Sequence, residues 1–243
     1  MREIKIFIIK RVYLYLILLF ALGLTIIITS LFFIFLPRDS ANVFVDPKNG
    51  VIIIDPGHGG IDGGTSKEGI LEKDINLDIS KKLMNLLVQK GYTVIMTREN
   101  DVSLDNPDTT GKNRHMRDLN ARVNIINKSN AQLSVSIHVN CNDKKPSTDG
   151  SIVFYSDKFE QNKELAYSIQ RALNNMIVNG KKRTIHDPVK AKYYILKNSD
   201  IPGVLIETAF LSNAKERQLL LKESYREEIA EAIASGIEQY LKE

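Results

Sequence analysis

The chain has 243 residues, a length that fits one globular domain plus a short extra segment better than two domains. Its formal net charge of +4 is concentrated at one end: residues 1–36 hold Arg2, Lys5, Lys10 and Arg11 against Glu3, leaving 29 basic and 28 acidic residues beyond them. That balance gives no basic face for a nucleic-acid partner, and the single cysteine, Cys141, excludes a disulfide scaffold and a Cys-rich zinc site.

Residues 12–36 carry no charge, and a bilayer span takes roughly 20 apolar residues. A cleaved secretory signal has a shorter apolar region, about 7–15 residues, with small residues at the cut. Here the run ends in Pro37-Arg38-Asp39, so the reading is an uncleaved N-terminal transmembrane helix. Lys5, Lys10 and Arg11 would hold the N-terminus in the cytoplasm and export the rest. Residues 37–50 read as a tether, and 51–243 as one catalytic domain.

Within that domain, 51–55 is a β-branched run stopped by Pro56-Gly57, which reads as a buried strand. Leu71, Ile75, Ile79, Leu83, Leu86 and Leu87 recur at helical spacing, and Gly91 closes the helix. Strands are predicted at 92–97, 133–139, 151–155, 193–196 and 204–207. Helices are predicted at 118–127, 159–178, 215–221 and 224–241. The fold class is therefore α/β, with a mixed, mainly parallel sheet of about six strands flanked by helices on both faces and preceded by the transmembrane helix. Residues 99–117 are polar, and an unstructured stretch of that length is functional or disordered.

Four residues sit where such a sheet binds ligands, near strand ends. His58 follows the first strand within Asp55-Pro56-Gly57-His58-Gly59-Gly60. Glu72 opens the first long helix, His138 lies near the end of 133–139, and Glu207 ends 204–207. Two imidazoles and a carboxylate make a three-ligand set for catalytic zinc, and a free carboxylate beside it would move protons. Spacing alone leaves other readings open: a loop histidine at 58, a core histidine at 138, and a capping or salt-bridged carboxylate at 207.

IIIDPGHGGIDGGT (52–65), LEKDINLDIS (71–80), TREND (97–101), SIHVN (136–140) and IPGVLIETAFLSN (201–213) resemble, in order, the motifs of the zinc-dependent N-acetylmuramoyl-L-alanine amidases. The resemblance covers nearly all of 51–243. It implies zinc, one ion per chain, on His58, Glu72 and His138, with Glu207 catalytic. It also implies a role near the site for Asn140 and a structural role for Arg122. The implied reaction is hydrolysis of the amide between N-acetylmuramic acid and L-alanine in peptidoglycan. Three features depart from the pattern: Ala209 stands where the family often has Gly, segment 99–117 is long, and no wall-binding repeat is present.

An anchor followed by a lone catalytic domain is most similar to the sporulation amidases of spore cortex. The expected setting is membrane-anchored and extracytoplasmic, with the spore intermembrane space as one location. Expected partners are peptidoglycan, the membrane through the anchor and an accessory activator protein; no nucleic acid is expected. The alternatives are a catalytically silent peptidoglycan-binding or scaffold protein of the same fold, and a zinc hydrolase of another amide. His115, His186 and the run Lys181-Lys182-Arg183 read as solvated loop residues, and Cys141 as a thiol without a catalytic role.

Overall fold

A computed structural model describes residues 11–35, 49–107 and 109–242. The chain divides into two compact units, 1–44 and 45–243. In the first, α1 runs over Arg11–Phe35. The expected transmembrane helix requires correction here. Among the described residues, no helix is long and apolar enough to cross a membrane. Apart from Asn49 and Gly50, the expected tether at 37–50 lies outside the described residues.

The second unit contains, in order, β1 (Val51–Pro56), β2 (Ser66–Lys67), β3 (Ile70–Leu71), α2 (Glu72–Gln89), β4 (Thr93–Met96), α3 (Arg114–Lys128), β5 (Leu133–Asn140), β6 (Ile152–Tyr155), α4 (Glu160–Asn174), β7 (Ile177–Val178), β8 (Lys181–Lys182), β9 (Val189–Lys190), α5 (Tyr194–Asn198), β10 (Gly203–Phe210), α6 (Ala214–Leu220) and α7 (Glu223–Lys242). Six strands form the main sheet in the order β4-β1-β5-β10-β6-β9. The pairings β4/β1, β1/β5, β5/β10 and β6/β9 are parallel, and β10/β6 is antiparallel. The sheet is thus mixed and mainly parallel.

Both faces of the sheet are covered, which is why its central strands read as near-continuous apolar runs. Ile52 and Ile54 of β1 point to one side and join Ile79, Leu83, Ile169, Ile233 and Ile237 of α2, α4 and α7. Ile53 points to the other and joins Val123, Ile126, Ile195 and Leu196 of α3 and α5. Alternation of side chains along the strand produces this division.

Three local predictions change. Residues 193–196 do not form a strand: Ile195 and Leu196 are both buried in the second cluster. Adjacent residues of a strand face opposite sides, whereas one turn of helix brings both to one core. The helix predicted over 159–178 stops at Asn174, and its last residues enter the β7–β8 hairpin. The turn is Asn179-Gly180, both at positive φ (52° and 75°), the two-residue pairing that matches strand twist. The sixth strand is the two-residue edge β9, whose residues are exposed.

Helices α4 and α7 meet at Gly236, where an added Cβ would lie 2.5 Å from Ile169 Cα. Ser168 Oγ donates to the Gly236 carbonyl at 2.8 Å across this contact. Gly236→Ala would push against backbone, so we expect it to lower stability by about 1–3 kcal/mol. Urea unfolding of the purified domain measures this.

Candidate active site

The loop leaving β1 is turned back sharply. Gly57 N–H donates to Ile137 O of β5 at 2.9 Å. A Cβ on Gly57 would lie 2.2 Å from the His138 ring, so only glycine lets the loop pass there. The next residue, His58, has φ of 62°, a left-handed conformation rare outside glycine. Surrounding contacts must hold it in place.

Two buried arginines provide those contacts. Arg122 of α3 donates through Nη1 to Asp55 Oδ1 at 2.8 Å and to Pro56 O at 2.7 Å, through Nη2 to His58 O at 2.6 Å, and through Nε to Asp118 Oδ2 at 2.6 Å. Arg98, just after β4, donates to Pro56 O, Gly57 O and Lys73 O, each at 2.9 Å. Three consecutive carbonyls of the loop are therefore fixed by guanidinium groups. Asp55 also accepts from Thr97 and Ser136 hydroxyls at 2.6 Å. Burial pushes its pKa up, but Arg122 and the hydroxyls outweigh that and hold the carboxyl below its usual range.

On this loop His58 faces Glu72, the first residue of α2. His58 Nε2 lies 3.2 Å from Glu72 Oε1, and His138 Nδ1 lies 2.9 Å from the same oxygen. The two rings are T-shaped, 5.0 Å apart. Val139 N–H and Asn76 Nδ2 also donate to Oε1, and Thr65 N–H donates to Oε2 at 2.8 Å. Burial pushes the Glu72 pKa up, but the two imidazoles more than reverse this and hold it far below the carboxylate range. Burial disfavours charge on His58, yet Glu72 and Asp62 push its pKa up to about 9.

One ligand atom from each of His58, Glu72 and His138 falls within 4.8 Å of the others. Two imidazole nitrogens and one carboxylate oxygen are the donor types that zinc takes in catalytic sites. Gly57 keeps the His138 ring unobstructed, and Gly64, at φ 68°, makes room for both His58 and Glu72. By donor chemistry and by space, the residues fit a zinc ion.

Glu207 lines the same cavity of about 440 Å³ as these three residues. It stands opposite His138 in the β10/β5 register, just before a shift that places Phe210 opposite Asn140. This bulge adds one residue to β10. Glu216 of α6 accepts the Phe210 N–H at 2.7 Å. Among the described residues, Glu207 Oε2 is buried without a hydrogen-bond partner. Burial, with help from the Glu72 charge and against the two imidazoles, pushes the Glu207 pKa up to about 7.

Other predicted residues divide between this cavity and elsewhere. Asn140 lines the cavity, with its side-chain oxygen on Cys141 N–H. Cys141 and His115 line it too, and His115 is not a loop residue: it is exposed on the first turn of α3. His186 lies apart, with Nε2 2.7 Å from Asp149 O. Arg183 is not solvated: its side chain is 5% exposed, and its guanidinium pairs with Glu216 at 2.7 Å and donates to Thr208 O at 3.0 Å, supporting the strand that carries Glu207. Ala209 is fully buried in the core. Segment 99–117 packs on the glycine loop, where Gly59 and Gly60 face Val102 and Ser103. Asp62 and Arg98 lie within recognisable motifs and Asp118 opens a predicted helix, but single-sequence patterns give no sign of which carbonyl or ring a side chain will meet.

Breaking the Asp55–Arg122 pair leaves an uncompensated buried carboxylate. Arg122→Met should destabilise the domain by about 3–5 kcal/mol, and Arg122→Lys should rescue little, since an ammonium cannot reproduce the planar fork. Denaturant midpoints of the two variants check this.

The comparisons agree with this geometry. The family model described as N-acetylmuramoyl-L-alanine amidase matches residues 52–239. The germination-specific N-acetylmuramoyl-L-alanine amidase of Bacillus subtilis (strain 168) is 38% identical over 228 residues, covering 92% of this chain and 94% of that protein. The amidase LytC of the same organism is 35% identical over 204 residues, covering 82% of this chain and 37% of LytC. The CwlD amidase from Clostridioides difficile, solved in complex with the GerS lipoprotein, superposes with a TM-score of 0.72 at 42% identity, covering 80% of this chain and 99% of that one. An N-acetylmuramoyl-L-alanine amidase from Clostridium difficile 630 gives 0.69 at 33% identity, covering 80% and 98%. The chain belongs to the N-acetylmuramoyl-L-alanine amidase family.

Proposed function

We propose that residues 51–243 are a zinc-dependent amidase domain that cleaves the bond between N-acetylmuramic acid and L-alanine in peptidoglycan. The observation that carries this reading is the convergence of His58, Glu72 and His138 in one cavity beside Glu207, whose Oε2 has no hydrogen-bond partner among the described residues. His58, Glu72 and His138 would hold the zinc ion. When bound, zinc supplies Lewis acidity that polarises an amide carbonyl and acidifies water.

The chain's own residues do the rest. A pKa near 7 suits a group that must take and return a proton at neutral pH. Glu207 accepts a proton from the attacking water as the water oxygen bonds to the lactyl carbonyl carbon. The C–N bond then breaks, and Glu207 delivers the proton to the departing alanine nitrogen. The Arg98 and Arg122 clamp holds the His58 loop still through both steps.

The germination-specific relative and the CwlD complex with a lipoprotein support a role on spore cortex and an accessory protein partner for this chain too. A peptidoglycan substrate lies outside the cytoplasm, so we place the domain on the extracytoplasmic side. Incubating purified peptidoglycan with the protein should release new L-alanine amino termini, and chelator should stop it. Zinc-bound protein that releases none would instead be a wall-binding protein with an amidase fold.

Two further outcomes follow from the assigned roles. Glu207→Gln should keep zinc and lose about 10²–10⁴-fold in turnover, whereas Glu72→Ala should lose zinc itself, both read by metal analysis alongside the amino-terminus assay. Zinc uptake should also depend on pH. In the metal-free protein His58 carries a proton up to about pH 9, and a metal must displace it. Zinc affinity should therefore fall by about tenfold per pH unit below that point. Its folded pKa is raised above 6.5, so its stabilising effect is full below pH 6.5 and disappears as pH rises through about 9. The chelated protein should lose thermal stability across that window.

A further inference from the structure

Asp62 sits at the end of the tight turn that begins at Gly59, with reciprocal Gly59–Asp62 backbone hydrogen bonds of 2.9 and 3.1 Å. Its two carboxylate oxygens do separate things. Oδ2 lies 3.0 Å from His58 Nδ1. Oδ1 accepts the Gly64 N–H at 3.1 Å. One residue further, Thr65 N–H donates to Glu72 Oε2. A single side chain therefore touches one candidate ligand directly and reaches a second through two residues of backbone.

We infer that Asp62 is a positioning residue for the metal centre, setting the tautomer and ring orientation of His58 with one oxygen and the presentation of Glu72 with the other. The inference rests on the zinc reading above. A carboxylate on Nδ1 keeps the Nδ1 hydrogen in place and leaves the Nε2 lone pair toward Glu72 Oε1 and the space between the ligands. This matters more at His58 than at an ordinary ligand, because its left-handed backbone gives the ring no help from a relaxed conformation. On the Glu72 side, Oε2 is occupied by Thr65 N–H, so Oε1 is the oxygen that meets both imidazoles. The Asp62–Gly64 bond adds to the backbone bonds Glu72 N–H to Thr65 O (3.0 Å) and Lys73 N–H to Gly63 O (3.2 Å) that hold the Thr65 amide over Oε2.

The test compares Asp62→Ala and Asp62→Asn with the unaltered protein, using zinc affinity by competition with a chromophoric chelator and thermal melting of the metal-free forms. Asp62→Ala should weaken zinc binding by about 10–100-fold, with metal-free melting above about pH 9, where the His58 charge no longer contributes, close to that of the unaltered protein. Asp62→Asn keeps an acceptor for the Nδ1 hydrogen and should recover most of the loss. Zinc affinity of Asp62→Ala within twofold of the unaltered protein would overturn the inference. So would a loss that only follows a fall in metal-free stability. Failure of the unaltered protein to bind zinc would sink the zinc site itself, a result distinct from both.

Discussion

The site depends on one buried ion pair. Asp55 is the penultimate residue of the buried strand β1, and Arg122 reaches it from α3 with almost no solvent contact on either side, at 1% and 3% exposure. A bare charge in that position would be costly. Here the guanidinium makes four hydrogen bonds: one to Asp55, and the others to Asp118 and to the carbonyls of Pro56 and His58. The pair therefore fixes the Pro56 and His58 carbonyls of the loop. With Arg98 on Gly57 O, it allows His58 to stand in a strained conformation facing α2.

The fold then arranges two glutamates of opposite character around one cavity. Glu72 is wrapped by donors: two imidazoles, two backbone amides and the Asn76 amide. It stays ionised. Glu207, on the bulged strand across from His138, has an oxygen without a hydrogen-bond partner among the described residues and rises toward neutrality. The same side chain stays ionised in one setting and rises toward neutrality in the other, and the difference is burial with or without donors. Glu216 and Arg183 maintain the bulge from beneath, linking the β7–β8 hairpin and α6 to the placement of Glu207.

Much of this could be read before any coordinates. The β-branched run at 52–54 and the alternation at 133–139 mark the central strands, because covered parallel strands leave that imprint. His58, Glu72, His138 and Glu207 were singled out from their places at strand and helix ends, and the structure brings all four to one cavity. Their roles, however, came from resemblance, since residues far apart in sequence carry no signal of meeting. What stayed hidden was mostly short or tertiary. The edge strand β9 has two residues and no pattern to show. Residues 193–196 look β-forming, yet burial of adjacent Ile195 and Leu196 makes them helical. Arg183 sits in a basic run that reads as solvated, and only the buried Glu216 explains its place. The N-terminal run read as a membrane span, and the described residues contain no helix that meets that requirement.

The central claim is a single metal site made by His58, Glu72 and His138 in front of Glu207. Anomalous X-ray scattering at the zinc edge from crystals of the zinc-loaded domain tests it most directly. The account predicts one peak, bonded to His58 Nε2 and His138 Nδ1 at about 2.0–2.1 Å and to a Glu72 oxygen at about 2.0–2.2 Å. Zinc bound at other residues, or an active enzyme with no peak between these three, would contradict it.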